Sequence, residues 1–342
     1  MAVKKGITIA GNILTDNVKT VSTYPRPGNL ADIYDAEQAV GGCVPNTLID
    51  LARMQGEIPL KAAGRVGDDA SGRFVLEQME KAGIDTSAVS FSKAKLTSFS
   101  DVMSAADTGE RTFFHYRGAN AEFAPEYVPP QAFECSILHI GYILLLDAFD
   151  AYDAEYSTVM ARFLHDVQAQ GILTSIDVVS GETGLFQEKV IPALRYCDYA
   201  IMNEFEGGSV SGLAVRDSDG KLIIGNVIKT LEFILAQGVR RRVILHCPEA
   251  GFCLDAQQGL FVESSLKLSR DYIKGSVGAG DAFCAGCLYA IYHQKDPQWM
   301  LRYAAAAAAA NLSAPDSVSG MKTAAELIEM METWPFNTLD ME

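Results

Sequence analysis

Gly275-Ser-Val-Gly-Ala-Gly-Asp-Ala-Phe-Cys-Ala-Gly286 is the most informative stretch of the sequence, because a glycine-rich turn leads directly into an apolar helical segment. Small residues at Gly278, Ala279 and Gly280 let a ligand approach the backbone, and the amide groups that begin a helix attract anions such as phosphate. Asp281 follows directly, either as the N-cap of this helix or as a general base beside a bound phosphate. Residue type alone favours the cap.

The charge and cysteine content exclude several classes of protein. The 342 residues include 28 Lys and Arg against 43 Asp and Glu, a net charge of −15, which argues against a nucleic-acid partner. No apolar run approaches the roughly 18 residues of a membrane span, and the N-terminus lacks the apolar region of a secretory signal. The seven cysteines are odd in number and scattered, as in a reduced, cytoplasmic protein. Cys284 and Cys287 are predicted to be small core residues.

Short apolar runs alternate with segments of helical period along most of the chain. Such alternation predicts an α/β fold, with a doubly wound, mainly parallel sheet flanked by helices on both faces. The predicted strands are 5–10, 60–66, 137–140, 172–177, 200–202 and 243–246. The predicted helices are 46–54, 71–82, 155–168, 189–195, 227–236, 282–293, 297–313 and 323–331.

Two segments interrupt this alternation. Residues 12–38 are polar and rich in turn residues, and residues 96–122 alternate polar with apolar side chains. Alternation of this kind is typical of antiparallel strands with one solvated face. We therefore expect both segments to form one small β-rich insertion.

Several motifs together resemble the signatures of the ribokinase-like (PfkB) carbohydrate kinases, in family order and over nearly the whole chain. They are Val-Gly-Ala-Gly-Asp-Ala-Phe at 277–283, Gly41-Gly42 followed by Asn46, Gly64-Arg-Val-Gly-Asp-Asp-Ala-Ser-Gly72, Ala82-Gly-Ile-Asp85, and Asn203-Glu-Phe-Glu206. The resemblance implies a ribokinase-like core formed by residues 1–11, 39–95 and 123–342. Residues 12–38 and 96–122 would then be a discontinuous β-sheet lid.

The resemblance also implies transfer of the ATP γ-phosphoryl group to a sugar hydroxyl. Asp281 would take the proton of that hydroxyl, and the amides of Gly278, Ala279 and Gly280 would stabilise the transferring phosphoryl group. In this interpretation Glu206 would help to hold Mg²⁺ through water. From the residues alone, positions 203–206 could equally be a turn from a strand into a helix.

By the same resemblance, Asp16, Gly41, Gly42 and Asn46 match sugar-binding positions. Asn46 could also be an N-cap, and Asp16 an exposed turn residue. Arg117 would direct its guanidinium at a carboxylate or several hydroxyls, unless it is simply a solvated strand residue.

The lid and nucleotide motifs are less uniform. Asn120 is similar to a ribokinase lid residue and would contact substrate. Asn203, His246, Gly251, Gly278 and Gly280 would contact the nucleotide, although Pro248 stands where the family usually has glycine. Gly275 stands where the family usually has an aspartate, so this chain departs from the family's pattern at its monovalent-cation site.

Three functions remain open at this point. The leading one is an ATP-dependent, Mg²⁺-requiring kinase of fructose, 2-keto-3-deoxygluconate or ribose. The others are a nucleoside kinase of the adenosine type and a non-catalytic sugar-sensing relative. Because exposed strand edges are usually covered by pairing, we also expect a homodimer joined through the lids.

Overall fold

The structure is a computed structural model that describes residues 5–108, 110–181 and 184–339. Residues 1–4, 109, 182–183 and 340–342, which fall in the predicted core and lid segments, lie outside the described residues. The strands are β1 (Ile7–Gly11), β2 (Leu14–Val21), β3 (Ile33–Gly41), β4 (Leu60–Gly67), β5 (Asp85–Ser92), β6 (Ser98–Ala105), β7 (Arg111–Tyr116), β8 (Ile137–Ile143), β9 (Tyr152–Asp153), β10 (Ser157–Thr158), β11 (Leu173–Val178), β12 (Tyr199–Asn203), β13 (Arg242–His246), β14 (Ala250–Asp255) and β15 (Gly259–Ser264). The helices are α1 (Cys43–Arg53), α2 (Ala70–Lys81), α3 (Val159–Ala169), α4 (Phe186–Leu194), α5 (Glu204–Ser211), α6 (Ile224–Ala236), α7 (Ala279–Tyr292), α8 (Pro297–Asn311) and α9 (Ala324–Thr333).

A large sheet organises the fold and confirms the predicted α/β class. Within the described residues it has nine strands, in the order β15-β14-β13-β12-β11-β8-β1-β4-β5. All pairs from β13 to β5 are parallel, and only the β13–β14 and β14–β15 pairs are antiparallel. Interior strand β1 is buried along its whole length, as expected for a strand covered by helices on both faces.

The two faces of this sheet carry separate hydrophobic cores. One core packs α1, α2, α7, α8 and α9 on the sheet, and the other packs α3 to α6. Helices α7 and α8 approach closely, because a Cβ atom at Gly286 would lie only 2.7 Å from the Cα atom of Ala304. The small side chains of the alanine tract in α8 therefore allow the two helices to pack closely.

A second, small sheet is built from the two segments that interrupt the α/β pattern. Its strand order is β3-β2-β6-β7, with β2–β3 and β6–β7 antiparallel. The central pair β2–β6 is parallel, so the expectation of a purely antiparallel insertion is wrong for that pair. In the chain, β2 follows β1 and β6 follows β5. Because β1 and β5 run in the same direction in the large sheet, β2 and β6 enter the small sheet in the same direction.

Several strands and one helix of the fold lie outside the elements that the apolar pattern predicted. The chain contains β5, helix α5 and the β14–β15 hairpin, none of which the apolar pattern predicted. The seven cysteines are thiols, and Cys284 and Cys287 are buried in α7 as predicted. Among the described residues, no helix is both long and apolar enough to cross a membrane.

Candidate active site

The start of α7 presents backbone amides to a cavity. Gly278 is the N-cap, in a left-handed conformation with φ of 78°, and the first backbone bond of the helix runs from the Ala282 amide to the Gly278 carbonyl. A Cβ atom at Gly278 would lie 2.6 Å from the main-chain oxygen of Ser317, so only glycine fits. The amides of Gly280 and Asp281 belong to the first turn, where a helix has no internal acceptors for its N–H groups. This turn is suited to hold an anion.

Asp281 is not the N-cap of α7, because the helix begins at Ala279. Its carboxylate instead accepts hydrogen bonds from other elements: Asn46 Nδ2 donates to Oδ2 at 2.8 Å, and the Tyr142 hydroxyl lies 2.9 and 3.0 Å from the two oxygens. Burial raises the pKa of Asp281 to about 6, against the lowering effect of the Asn46 bond. A carboxylate with this pKa is ionised at neutral pH and can still accept a proton, as a general base must.

Asn46 and Tyr142 hold this carboxylate from two different elements. Asn46 lies in the first turn of α1, whose N-cap is Gly42, so the interpretation of Asn46 as an N-cap is wrong. The Ser317 hydroxyl donates to Asn46 Oδ1 at 2.9 Å, which fixes the amide orientation. Tyr142 lies in β8 with φ of 61°, and its backbone amide donates to Asp177 Oδ1 at 2.6 Å. Sequence reasoning missed Tyr142, since nothing in the local pattern distinguishes it from a core aromatic.

Asp16 reaches the same region from the small sheet. It lies in β2, and burial together with the nearby negative charge of Asp281 raises the pKa of Asp16 to about 7. Glycine at position 41 leaves room for it, since a Cβ atom there would lie 2.4 Å from Asp16 Oδ2. Gly42 has φ of 89° and allows the close approach of the Asn12 carbonyl. The structure therefore brings Asp16, Gly41, Gly42 and Asn46 together near Asp281.

Asn203 and Glu206 form a reciprocal capping box at the start of α5, which explains why the chain turns here from strand to helix. The Glu206 carboxylate is buried and accepts hydrogen bonds from Ser180 Oγ at 2.7 Å, Asn203 Nδ2 at 2.9 Å and the Asn203 amide at 2.9 Å. Burial raises the pKa of Glu206 to about 8. A carboxylate has about four acceptor positions, so one remains for a water molecule of a hydrated cation.

Three cavities converge on the start of α7. A cavity of 240 Å³ is lined by Asp281 together with Tyr142, Asp177, Ser180, Asn203, Glu206, His246, Gly278, Gly280 and Cys284. A larger cavity of 650 Å³ shares Asn203, His246 and Gly280 with it and is otherwise mostly apolar. A third cavity, of 330 Å³, lies against the small sheet and includes Asp16, Val277 and Ser317 in its wall.

His246 and Gly251 belong to the wall between β13 and β14. The His246 ring packs on Phe283, with centroids 4.8 Å apart, and burial lowers the pKa of His246 to about 4. His246 is therefore neutral at physiological pH and lines both cavities without a charge. Gly251 faces Phe283 and Leu301, where a Cβ atom would lie 3.1 Å from each side chain.

Arg117 and Asn120 do not line these three cavities, and their expected contact with substrate stays a prediction. Arg117 Nη1 donates to Asp147 Oδ1 at 2.6 Å and to the Leu144 carbonyl at 2.9 Å, so the guanidinium is used within the protein. Asn120 is fully buried; its Oδ1 accepts from the Ile13 amide, and its Nδ2 donates to Asn12 at 2.9 Å. Asn120 thus anchors the connection from β1 to β2.

Comparison with known proteins shows one family over nearly the whole chain. Residues 5–324 match the family described as "pfkB family carbohydrate kinase". A ribokinase of Staphylococcus aureus is 24% identical, with 81% of this chain and 83% of that protein covered. A 5-dehydro-2-deoxygluconokinase of Bacillus velezensis is 23% identical, with 90% and 89% covered. Among solved structures, Arabidopsis thaliana ribokinase complexed with ribose and ATP superposes with a TM-score of 0.80 at 18% identity, covering 96% of this chain and 99% of that one.

Proposed function

The chain belongs to the pfkB family of carbohydrate kinases, and from this premise we propose that it transfers the γ-phosphoryl group of ATP to a hydroxyl of an uncharged sugar. One observation carries the proposal. The buried Asp281 carboxylate, held by Asn46 and Tyr142, lies beside the amides that begin α7 and faces a cavity that shares lining residues with the larger apolar cavity.

The chemistry assigns a separate task to each group at the start of α7. Asp281 would accept the proton of the attacking hydroxyl. The amides of Gly278, Ala279 and Gly280 would stabilise the negative charge of the transferring phosphoryl group. The Ala279 amide would exchange its long bond to the Ser276 carbonyl, 3.4 Å, for this contact. Asn46 and Tyr142 would act as positioning residues, since both orient the carboxylate.

The cavity of 650 Å³ is the proposed nucleotide site. Ala305, Ala308 and Ala309 of α8 leave a flat apolar wall that suits a nucleobase. Asn203, His246 and Gly280 line both this cavity and the one at Asp281, so the triphosphate would pass between them. The ribokinase of A. thaliana, which has the same fold, was solved with ATP.

Glu206 is the proposed contact for Mg²⁺. Three of its acceptor positions are used by Ser180 and Asn203, so it fits a water ligand of the ion better than direct coordination. When bound, the ion would neutralise charge on the ATP phosphates. The raised pKa of Glu206 indicates that this buried carboxylate lacks a compensating positive charge in the protein itself.

The third cavity favours an uncharged acceptor. Its wall carries the carboxyl groups of Asp16, Asp35, Glu37 and Asp316 against a single guanidinium, that of Arg111. Carboxylates accept hydrogen bonds from sugar hydroxyls but repel an acidic sugar. Arg117, the other expected partner for a substrate carboxylate, is paired with Asp147. Ribose or fructose therefore fits better than 2-keto-3-deoxygluconate.

The small sheet is the proposed lid over this cavity; its expected segments are residues 12–38 and 96–122, and strand β3 continues beyond the first of them to Gly41. It exposes large apolar side chains, including Ile33, Tyr34, Phe113 and Phe114. We infer that a second copy of the chain covers this surface, giving a homodimer joined through the lids. Sedimentation should detect a dimer at micromolar concentration, and a monomer at that concentration would contradict the inference.

A panel assay tests the proposed reaction. Release of ADP is measured with ribose, fructose, 2-keto-3-deoxygluconate and adenosine, each with ATP and Mg²⁺. We expect turnover with one of the two uncharged sugars. Turnover with the sugar acid or adenosine alone would overturn the acceptor class. Calorimetry that detects sugar binding without ATP binding would instead favour a non-catalytic sugar sensor.

A further inference from the structure

His139, Asp177 and Cys284 form a buried cluster behind Asp281. We propose that this cluster binds a divalent transition-metal ion, with Zn²⁺ as the best match, and that the bound ion inhibits the enzyme. His139 comes from β8, Asp177 from β11 and Cys284 from α7. Their exposed fractions are only 0%, 7% and 2%. One donor atom of each residue lies within 4.8 Å of the other two.

Two of the three separations between donor atoms fit a tetrahedral ion. His139 Nε2 lies 3.4 Å from Asp177 Oδ2 and 3.8 Å from Cys284 Sγ. Bond lengths of about 2.0–2.1 Å to nitrogen or oxygen and about 2.3 Å to sulfur give edges of roughly 3.4 and 3.6 Å for a regular tetrahedron. These two edges agree closely, and the third, between Asp177 and Cys284, is at most 4.8 Å, so an ion could enter after side-chain adjustments that shorten it.

Neighbouring groups already orient two of the ligands. Ser175 Oγ lies 3.0 Å from His139 Nδ1, and a bond donated by Nδ1 to this oxygen leaves Nε2 free to bind a metal. The Tyr142 amide donates to Asp177 Oδ1, which leaves Oδ2 on the side of His139. Metal-binding histidines and carboxylates are commonly held by second hydrogen bonds of this kind.

The charges of the three ligands suit a buried divalent ion. Neutral His139, a Cys284 thiolate and the Asp177 carboxylate would together balance two positive charges, so the occupied site would be neutral. Binding would release the thiol proton of Cys284 to solvent. Sulfur and imidazole ligands favour Zn²⁺ and related ions over Mg²⁺, which prefers oxygen.

The cavity at Asp281 supplies both a route and a fourth ligand. Asp177 and Cys284 are part of its wall, so an ion and its water could reach the cluster from there. The positive charge would lie close to Asp281, because the charges of Asp177 and His139 already act on the Asp281 carboxylate. It would weaken this carboxylate as a base; this inhibitory effect rests on the proposed function, whereas binding itself does not.

A cobalt titration of the whole protein tests the site, because Co²⁺ replaces Zn²⁺ and absorbs light. The wild type should bind one Co²⁺ with visible bands of a tetrahedral ion and a near-ultraviolet band from thiolate-to-metal charge transfer, and Zn²⁺ should displace it. Cys284→Ala should abolish the charge-transfer band and weaken Zn²⁺ binding at least about 100-fold, beyond the loss caused by removing an outer partner of a ligand. Cys287→Ala is the matched control, since it removes another buried thiol of α7 and should leave the spectrum unchanged.

Asp177→Asn provides a second variant in case Cys284→Ala does not fold. It keeps an oxygen for the Tyr142 amide but should reduce Zn²⁺ affinity. A wild type without the thiolate band, or a folded Cys284→Ala protein that retains it, would overturn the site. Inhibition by Zn²⁺ at excess Mg²⁺ is then compared with each variant's own metal-free rate. If the bands appear and Zn²⁺ does not inhibit, only the inhibitory role is wrong; if no kinase activity is found, the spectrum still decides the site.

Discussion

Removal of the Tyr142 hydroxyl should move the pH dependence of the reaction. This hydroxyl donates to the Asp281 carboxylate at 2.9 and 3.0 Å and lowers a pKa that burial raises to about 6. A hydrogen bond to a charged group contributes about 1.5–3 kcal/mol, against about 1 kcal/mol for a neutral pair. The difference is about 0.5–2 kcal/mol, and its midpoint corresponds to about one pKa unit. In Tyr142→Phe the acidic limb of kcat/KM should therefore move up by about one pH unit.

The size of the effect depends on the pH of the assay. At pH 6 the ionised fraction of Asp281 would fall from about one half to about one tenth, a roughly five-fold loss of kcat/KM. At pH 8 both proteins would be mostly ionised and nearly equally active. The assay is ADP release between pH 5 and 9, with Tyr156→Phe as a control, since the Tyr156 hydroxyl contacts His165 instead. An unmoved limb, or the same loss at every pH, would refute this role of the hydroxyl.

Three further changes test other parts of the site. Gly278→Ala places a side chain at φ of 78° against a main-chain oxygen, so we expect a lower Tm and at least a ten-fold lower kcat. The control is Gly225→Ala, at an open helix position, which should not destabilise the protein. Glu206→Gln should raise the Mg²⁺ concentration needed for the half-maximal rate. The control is Glu326→Gln, in the capping box of α9, which should leave that concentration unchanged. Equal effects of the two variants in a Mg²⁺ titration would argue against a specific role of Glu206 in holding the ion. Folding raises the pKa of Asp281 from 3.8 to about 6, so the stability of the protein falls as pH rises through this range. At pH 8, Asp281→Asn should therefore increase the free energy of unfolding by up to about 3 kcal/mol and raise Tm. At pH 4 it should do neither. A variant less stable than the wild type at pH 8 would contradict this sign.

The pattern of the sequence was sufficient for the class of fold but not for every element. Apolar strands covered on both faces have an unbroken apolar run, which makes β1 and β13 easy to recognise. A turn from a strand into a helix at 203–206 was one of the two interpretations of that motif, and the structure has it. The rest of helix α5 was not predicted because Gly207 and Gly208 are poor helix formers. The parallel pairing of β2 with β6 depends on how distant strands leave the large sheet, which no local pattern records.

The candidate site was only partly predictable for the same reason. The glycine turn before Asp281 has a local signature, because only glycine fits its backbone at position 278. Tyr142 and Asp177 reach Asp281 through strand order in the sheet, and neither has a distinctive neighbourhood in the sequence. Arg117 and Asn120 have the right chemistry for a substrate, but tertiary contacts with Asp147 and Asn12 use their polar groups.

The turnover of Asp281→Asn at pH 8 tests the central claim most directly, because the substitution removes the proposed base and keeps nearly the same shape. General-base catalysis typically contributes about 10²–10⁴-fold, so kcat should fall by at least two orders of magnitude. Calorimetry should still detect ATP binding, since the amides of Gly278 and Gly280 remain in place. A folded variant that binds ATP and retains kcat within about ten-fold of the wild type would contradict the assignment of Asp281 as the base.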